Sequence, residues 1–468
     1  MNLKKQKYSL SLSLLFVLVG FFFIPFNSGI EVGFLGEFAR EAPVFFFGIA
    51  FVFILLKSIY TGKIYFPKNH PLTLLLGAFF IWIIIGFILN LNTISENELK
   101  NTNGITRFIK QLFSFSLSLF FLLIYYNSFK TKPIWQLIKY IRFTFLLSLT
   151  VILVYITLET AVLKLGLGFL TEVLYLFDYF PFTSVYLDTN LSRISGPTFE
   201  PPALATYLIT IAPWMLSYIV TNKGIIKYFP AVLVLIFSLL SGSRAGIFII
   251  FLQYILFLLS FINIKKLQPH FLKIVLLGGI AIGAIFVFKG KAITGYVIDK
   301  ATSFSTKKGD HLVSNKSRLG IQYANFEVFK ENPISGVGFG QQSYHAIHHY
   351  PKWATENNWE FKFMYLNNNF PNFVPGYNLY IRLLAETGII GLLLFLSILL
   401  IALYICLSAI VSKNENMLVY LIIFVSLIGA AFNWLKMDTL RDYNLWINLA
   451  LLFYLSSNKL VIKKTNAK

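Results

Sequence analysis

The sequence predicts an all-α integral membrane protein with about twelve transmembrane helices, both termini cytoplasmic, and a large extracytoplasmic loop carrying amphipathic helices. Three observations predict it. Of 468 residues, 57% are apolar and only 13% charged, whereas a soluble domain carries roughly a quarter charged residues. The apolar residues gather in runs long enough to cross a hydrocarbon core of about 30 Å. The basic residues alternate in step with those runs.

The runs lie near 8–26, 42–60, 71–91, 105–126, 141–163, 201–221, 225–241, 245–263, 271–289, 388–411, 417–434 and 443–458. Lys4, Lys5 and Lys7 before the first run mimic a secretory signal. No small-x-small cleavage site follows Phe21–Phe26, so this run is expected to stay as a helix. With the N-terminus inside, the inner segments also hold Lys57, Lys63 and Lys68, then Lys130, Lys132, Lys139 and Arg142, then Lys223 and Lys227. Lys265, Lys266, Lys273, Lys413, Lys459, Lys463, Lys464 and Lys468 follow. That is half of the 40 basic residues, against Glu415 alone of 20 acids. Lys and Arg flanking short loops resist translocation, so the +20 net charge is an orientation signal and not a nucleic-acid-binding face. The single cysteine, Cys406, lies in an apolar run and excludes an intrachain disulfide. No repeat period is visible, and the halves do not mirror each other as in repeat-built transporters. Residues 1–468 therefore read as one polytopic membrane domain.

Two outer segments, 164–200 and 290–387, break the rhythm of short connections. The longer lies between the ninth and tenth runs. Loops of this length on a rigid scaffold are where chemistry is expected. In the first, Arg193-Ile-Ser-Gly-Pro-Thr-Phe-Glu200-Pro-Pro ends where a helix should begin with Pro in its first turn. Glu200 is thereby held near the membrane surface, where a carboxylate can act as a general base or complement the helix dipole. Ser241-Gly-Ser-Arg-Ala-Gly246 separates two apolar runs and makes Ser243 an N-cap. The helix N-terminus beside Arg244 forms an anion site, or Arg244 snorkels to headgroups.

Within the long loop, Leu319, Tyr323, Phe326 and Phe329 recur at near-helical spacing with Arg318, Gln322 and Glu327 between them. This predicts an amphipathic helix on the membrane surface or capping the bundle. Tyr344 to Tyr377 is aromatic-rich, with Trp353, Trp359, Phe361, Phe363, Tyr365, Phe370 and Phe373. Such rings stack on sugars or form an interfacial belt. Asn378, Arg382 and Glu386, spaced i, i+4, i+8, share a helix face, as a site or as an anchoring ion pair. Gly336-Val-Gly338-Phe-Gly340 follows no strand of a βαβ unit and reads as a tight turn close to other backbone, not a nucleotide loop. His345, His348 and His349 have a spacing a metal can use but no carboxylate beside them, and no metal is expected.

The Ser243-Arg244-Ala245-Gly246 turn, the Asn332-Pro-Ile-Ser-Gly-Val-Gly-Phe-Gly340 run and the Asn378-to-Gly391 segment resemble successive landmarks of the Wzy polymerase and O-antigen ligase superfamily. The resemblance covers roughly residues 190–410; the first half of the chain matches only in being hydrophobic. Ligases of that superfamily place a His before the Asn of the third landmark, then nine residues and a Gly-x-x-Gly pair. This chain keeps Asn378, the gap, Gly388 and Gly391, but has Tyr377 where the His belongs, which favours a polymerase. The resemblance implies a multi-pass, metal-independent glycosyltransferase of the bacterial cytoplasmic (inner) membrane, without a cofactor. It would join undecaprenyl-pyrophosphate-linked oligosaccharide repeats into lipopolysaccharide or capsule at the outer face. The implied partners are the lipid-linked oligosaccharide, membrane lipids and a chain-length regulator, with no nucleic acid. Arg193, Arg244, Arg318 and Arg382 are then the candidate pyrophosphate contacts, since guanidinium forks match phosphate oxygens. Asn378 is a further substrate contact. Glu200, Tyr377 and Glu386 are the catalytic candidates, with the general base unassigned. Two alternatives stand beside this reading: a ligase transferring glycan to a lipid or protein acceptor, and a lipid-linked oligosaccharide flippase or exporter. A flippase would place charges along a central path within the spans.

Overall fold

A computed structural model of the protein describes residues 10–29, 31–189, 192–262 and 312–465. Every expected apolar run carries a helix except 271–289, which lies outside the described residues together with the beginning of the outer loop. The helices are α1 (Leu12–Phe22), α2 (Pro43–Thr61), α3 (Pro71–Leu89), α4 (Gly104–Phe129), α5 (Ile134–Leu165) and α6 (Pro201–Thr221). They continue with α7 (Phe229–Ser241), α8 (Arg244–Ile262), α9 (Leu312–Glu331), α10 (Leu379–Val411), α11 (Met417–Asn433) and α12 (Tyr443–Thr465). Among the described residues, the only strands are the two-residue pair Glu98–Leu99 and Thr102–Asn103.

Helices α2, α3, α4, α5, α6 and α10 are long and apolar enough to cross a membrane. Shorter apolar helices lie at Leu12–Phe22, Ile226–Ser241, Arg244–Ser260 and Met417–Asn433. Their packing fits a lipid solvent. Helix α3 buries Leu72, Leu76, Phe79 and Ile83, yet the opposite stripe of Leu74, Ile81 and Ile88 is 69%, 59% and 62% exposed. A helix apolar on every face, packed on one and bare on the other, suits hydrocarbon rather than water. Helix α6 is the hub: 78% of its most apolar window is buried, against α7, α8 and α11. The Gln253 amide of α8 donates to the carbonyls of Ile209 in α6 (3.0 Å) and Val425 in α11 (3.2 Å), tying the three together.

The connections sort to two ends. At one, Ser11 meets Thr131 (3.0 Å), Asn127 pairs with the Tyr65 backbone (2.8 and 3.0 Å), and His70 meets Ser456 (3.1 Å). The Tyr454 hydroxyl there donates to the Lys132 carbonyl. The connections that carry Lys63 and Lys68 and that carry Lys130 and Lys132 meet at this end. At the other, Ser28 donates to the Pro197 carbonyl (3.2 Å), Asn27 accepts from the Phe199 amide (3.2 Å), and Arg441 reaches Glu37 (3.3 Å). The described part of the long segment between α8 and α10 lies here, fastened to the turn between α3 and α4. Lys100, in the left-handed region at φ 52°, donates to the carbonyls of Met364 (2.9 Å) and Asn372 (2.7 Å). The Tyr344 hydroxyl donates to the Thr102 carbonyl (2.9 Å).

Two elements depart from their sequence-based limits. Helix α10 starts at Leu379 rather than 388, because the Asn378 side chain caps it by accepting from Tyr380 N (3.0 Å) and Ile381 N (3.2 Å). The helix is broken at Gly388 (φ 65°, ψ −169°), where a Cβ would run into the Ile334 carbonyl. The 332–340 run supplies the hydrogen bonds lost at that break: Val337 N to Ala385 O, Gly338 N to Glu386 O and Ile389 N to Pro333 O, each 2.9 Å. Its glycines thus serve close backbone approach. Helix α9 forms where amphipathic spacing predicts it, but Leu319, Tyr323 and Phe326 are exposed. The buried face is instead Gly320, Ile321, Ala324, Asn325 and Val328: Gly320 lies against Ala354 and Ile321 clusters with Phe361 and Tyr365 of the loop, while Ala324 and Val328 cluster with Ala385 of α10.

Candidate functional site: a charged cavity at the long-loop end

At the end that carries the long loop the bundle opens into a cavity of about 860 Å³. Five sequence-predicted residues line it: Arg193, Glu200, Arg244, Arg318 and Tyr377. They arrive on four separate segments. Arg193 precedes α6 and donates to the Ser241 carbonyl (3.4 Å), lying along the turn at Gly242. Arg244 opens α8, directly after Ser243, and donates to Asn315 Oδ1 on α9 (3.3 Å). Arg318 on α9 stacks on the Tyr377 ring at 5.2 Å. Glu200 is the N-cap residue of α6. Phe370 and Phe373 also line the cavity, whereas Trp353, Trp359 and Phe363 are exposed elsewhere on the loop.

The segment bearing Arg193 and Glu200 is held by Glu159, a carboxylate buried in α5. It accepts from Ser195 N (2.9 Å), Ser195 Oγ (3.1 Å) and Gly196 N (2.9 Å). A buried carboxylate inside an apolar helix is tolerable only with such donors. Tyr377 sits in the left-handed region (φ 54°), and the preceding Gly376 amide donates to Asp438 (2.6 Å). Its hydroxyl shares a 2.6 Å hydrogen bond with Tyr365. Strained backbone of this kind concentrates at functional sites.

Arg382, Glu386 and Asn378 do not line the cavity. Arg382 and Glu386 pair at 3.0 Å inside the protein, and Arg382 also donates to Gln111 (2.8 Å) and the Asp438 carbonyl (2.7 Å). The i, i+4 spacing brings the pair together, but on the packed side of α10. Asn378 is occupied by its cap. His349 pairs with Glu331 (3.2 Å).

The wall also contains charges the sequence reading passed over: Glu31, Glu37, Arg40, Glu41, Lys436, Asp438, Arg441 and Asp442. They come from short connections. A visible signal existed in Lys436-Met-Asp-Thr-Leu-Arg-Asp442, dense charge between two apolar runs, and in Glu159 as a lone acid within another. Many of these charges neutralise one another. Glu31 pairs with Arg40 (2.9 Å), Glu41 faces Arg441 (3.9 Å), Asp438 faces Arg382 (3.8 Å), and Glu37 meets Arg441, Arg107 (3.6 Å) and Gln111. Burial pushes the Glu37 carboxyl up, but Arg441, Arg107 and Arg382 outweigh it and hold it at about 2. On the remaining side Arg318, Lys436 and Arg193 act on Glu200, and Arg244 lines the same cavity. The enclosing protein raises the Glu200 carboxyl above its ordinary range, against the pull of Arg318, Lys436 and Arg193. Burial likewise raises the Tyr377 phenol, opposed by its bond to Tyr365 and by Arg318.

Fold and cavity define a class: a helical membrane protein whose apolar bundle ends in one polar chamber with a cationic side. A family model described as O-antigen ligase matches residues 229–396, about a third of the chain. The similarity spans α7 to the first half of α10, so it takes in Arg244, Arg318, Tyr377 and the docked 332–340 run. Arg193, Glu200 and Lys436 lie outside it. No curated protein matches the chain.

Proposed function

We propose that the protein is a membrane-embedded glycosyltransferase that polymerises undecaprenyl-pyrophosphate-linked oligosaccharide repeats at the outer face of the bacterial cytoplasmic membrane. The observation that carries this reading is the convergence of Arg193, Arg244 and Arg318 with Glu200 and Tyr377 on one cavity. In the reaction, an acceptor hydroxyl oxygen bonds to the donor's anomeric carbon. The bond from that carbon to the pyrophosphate oxygen breaks, and its electron pair leaves on the phosphate. The guanidiniums stabilise that departing charge. One well-placed donor is worth roughly 2.7–4 kcal/mol in another enzyme class. Glu200 takes the hydroxyl proton, a task for which its raised carboxyl is suited. Tyr377, kept protonated by burial, acts as a hydrogen-bond donor, and Phe370 and Phe373 offer faces for sugar rings. Arg382, Glu386 and Asn378 serve to hold the backbone under Tyr377. Glu37, Glu41 and Asp438 each face a guanidinium, so the reading assigns no divalent metal to the chemistry.

The family similarity supports a second reading, a ligase that moves finished glycan to another acceptor. Tyr377 in place of the ligase His favours polymerisation. Purified protein given lipid-linked repeats in detergent with EDTA is expected to produce a ladder of lengthened chains, and its loss in cells should leave single repeats on the carrier. Long chains stranded on the carrier would instead indicate a ligase, and repeats trapped on the inner leaflet a flippase. Activity abolished by EDTA and restored by one metal would overturn the metal-free chemistry.

A further inference from the structure

We propose that Lys436 is an additional binding residue of the cavity, an ammonium kept without a protein partner so that a phosphate oxyanion of a lipid can take that place. The inference rests on the cavity's reading as a pyrophosphate-lipid site and extends it to a part of the chain outside residues 229–396. Lys436 lies in the connection between α11 and α12, two residues after the buried Trp434, and lines the cavity. Its Nζ is shielded from solvent and has no hydrogen-bond partner among the described residues. The charges around it are Glu200 from the segment before α6, Arg318 from α9 and Asp442 from its own connection.

An enclosed ammonium without a partner is costly, because desolvation is not repaid by a hydrogen bond. Glu200 and Asp442 offset part of that cost without bonding to the ammonium, and the second cation, Arg318, adds to it. A neutral side chain would remove it, so the arrangement makes sense when an anion completes it. A phosphate oxygen between Lys436 and Arg318 would neutralise both, and a lysine, with three donors on a point charge, can meet it without the planar register an arginine requires. The bland reading, in which Lys436 is a structural countercharge to Glu200, predicts the opposite behaviour on removal. A site held ready for a ligand trades stability for function.

The two are separable with full-length protein in detergent, measuring the melting temperature and the affinities for undecaprenyl pyrophosphate and for phosphatidylglycerol. In Lys436→Met, the affinity for undecaprenyl pyrophosphate is expected to fall roughly 10- to 100-fold, with the melting temperature unchanged or higher. A fall confined to phosphatidylglycerol would support the oxyanion site with a headgroup as its source. Unchanged affinity for both lipids overturns the inference. So does a lowered melting temperature, in favour of the countercharge. Arg318→Gln separates this from failure of the cavity itself: if it weakens binding while Lys436→Met does not, only the lysine's role falls. If the unmodified protein binds neither lipid, the cavity reading falls and the inference with it.

Discussion

Arg244 begins a helix, where its charge opposes the dipole and gains little locally. Beyond its bond to Asn315, a guanidinium rather than an ammonium is required here if a planar two-point contact with phosphate is made. Arg244→Lys is therefore expected to lose about a hundredfold in polymerising activity while the protein still inserts and accumulates, measured by ladder formation against membrane yield. Normal activity would reduce Arg244 to a surface anchor. Lys436 makes a separate prediction through pH. Burial brings its ammonium down to about 8 from an ordinary 10.5, despite Glu200 and Asp442. Between those values the unfolded chain holds more protons than the folded one, so stability should rise with pH across that window. Melting curves of unmodified protein should show this increment, and Lys436→Met should lack it. Arg193, Glu200 and Arg244 were legible as candidates because a charge at the end of an apolar run is conspicuous, and Arg318 because it stands in an amphipathic stretch of the long loop. The dense charge around Lys436 is visible too, but a short connection rich in both signs looks like ordinary solvated loop, so the lysine itself does not stand out.

Glu159 acts through the segment that it ties to α5. Glu159→Gln leaves an acceptor oxygen but turns an NH2 toward a backbone or hydroxyl donor, costing about 1–3 kcal/mol for the donor left unsatisfied. The expected result is a lower melting temperature together with loss of activity, since Arg193 and Glu200 ride on that segment; full activity would detach the segment from the site. At the broken helix, Gly388→Ala would force a non-glycine residue into a conformation costing about 1–3 kcal/mol and push a methyl into Ile334. Limited proteolysis should then cut within 332–340, which stays protected in the unmodified protein. The described apolar helices were readable from hydropathy, and α9 from its amphipathic spacing. The true start of α10 was not, because Arg382 and Glu386 interrupt the apolar run and only tertiary partners, Gln111 and Asp438, make their burial tolerable. The outward turn of Leu319, Tyr323 and Phe326 was equally hidden: spacing defines a face, but small residues on the other side decide which one packs.

Among the described residues, the connections around Lys63–Lys68 and Lys130–Lys132 lie at one end and those that line the cavity at the other. With Cys406 replaced, Glu356→Cys should react with an impermeant thiol reagent in intact cells and Ile64→Cys should not. The reverse pattern would invert the topology. The cavity wall is drawn from the segments after α1, before α6, between α7 and α8, along α9 and its loop, and between α11 and α12. Arg244 and Arg318 fall inside residues 229–396, while Arg193, Glu200 and Lys436 flank that stretch on both sides. A gene exchanging only the matched stretch with a diverged neighbour would join half a chamber from one parent to half from another. Chimeras with junctions at 228 and 397 should therefore be inactive even when they fold, whereas junctions at 192 and 443 keep the chamber's cationic side together. The unit of inheritance for this site is then longer than the stretch of recognisable similarity.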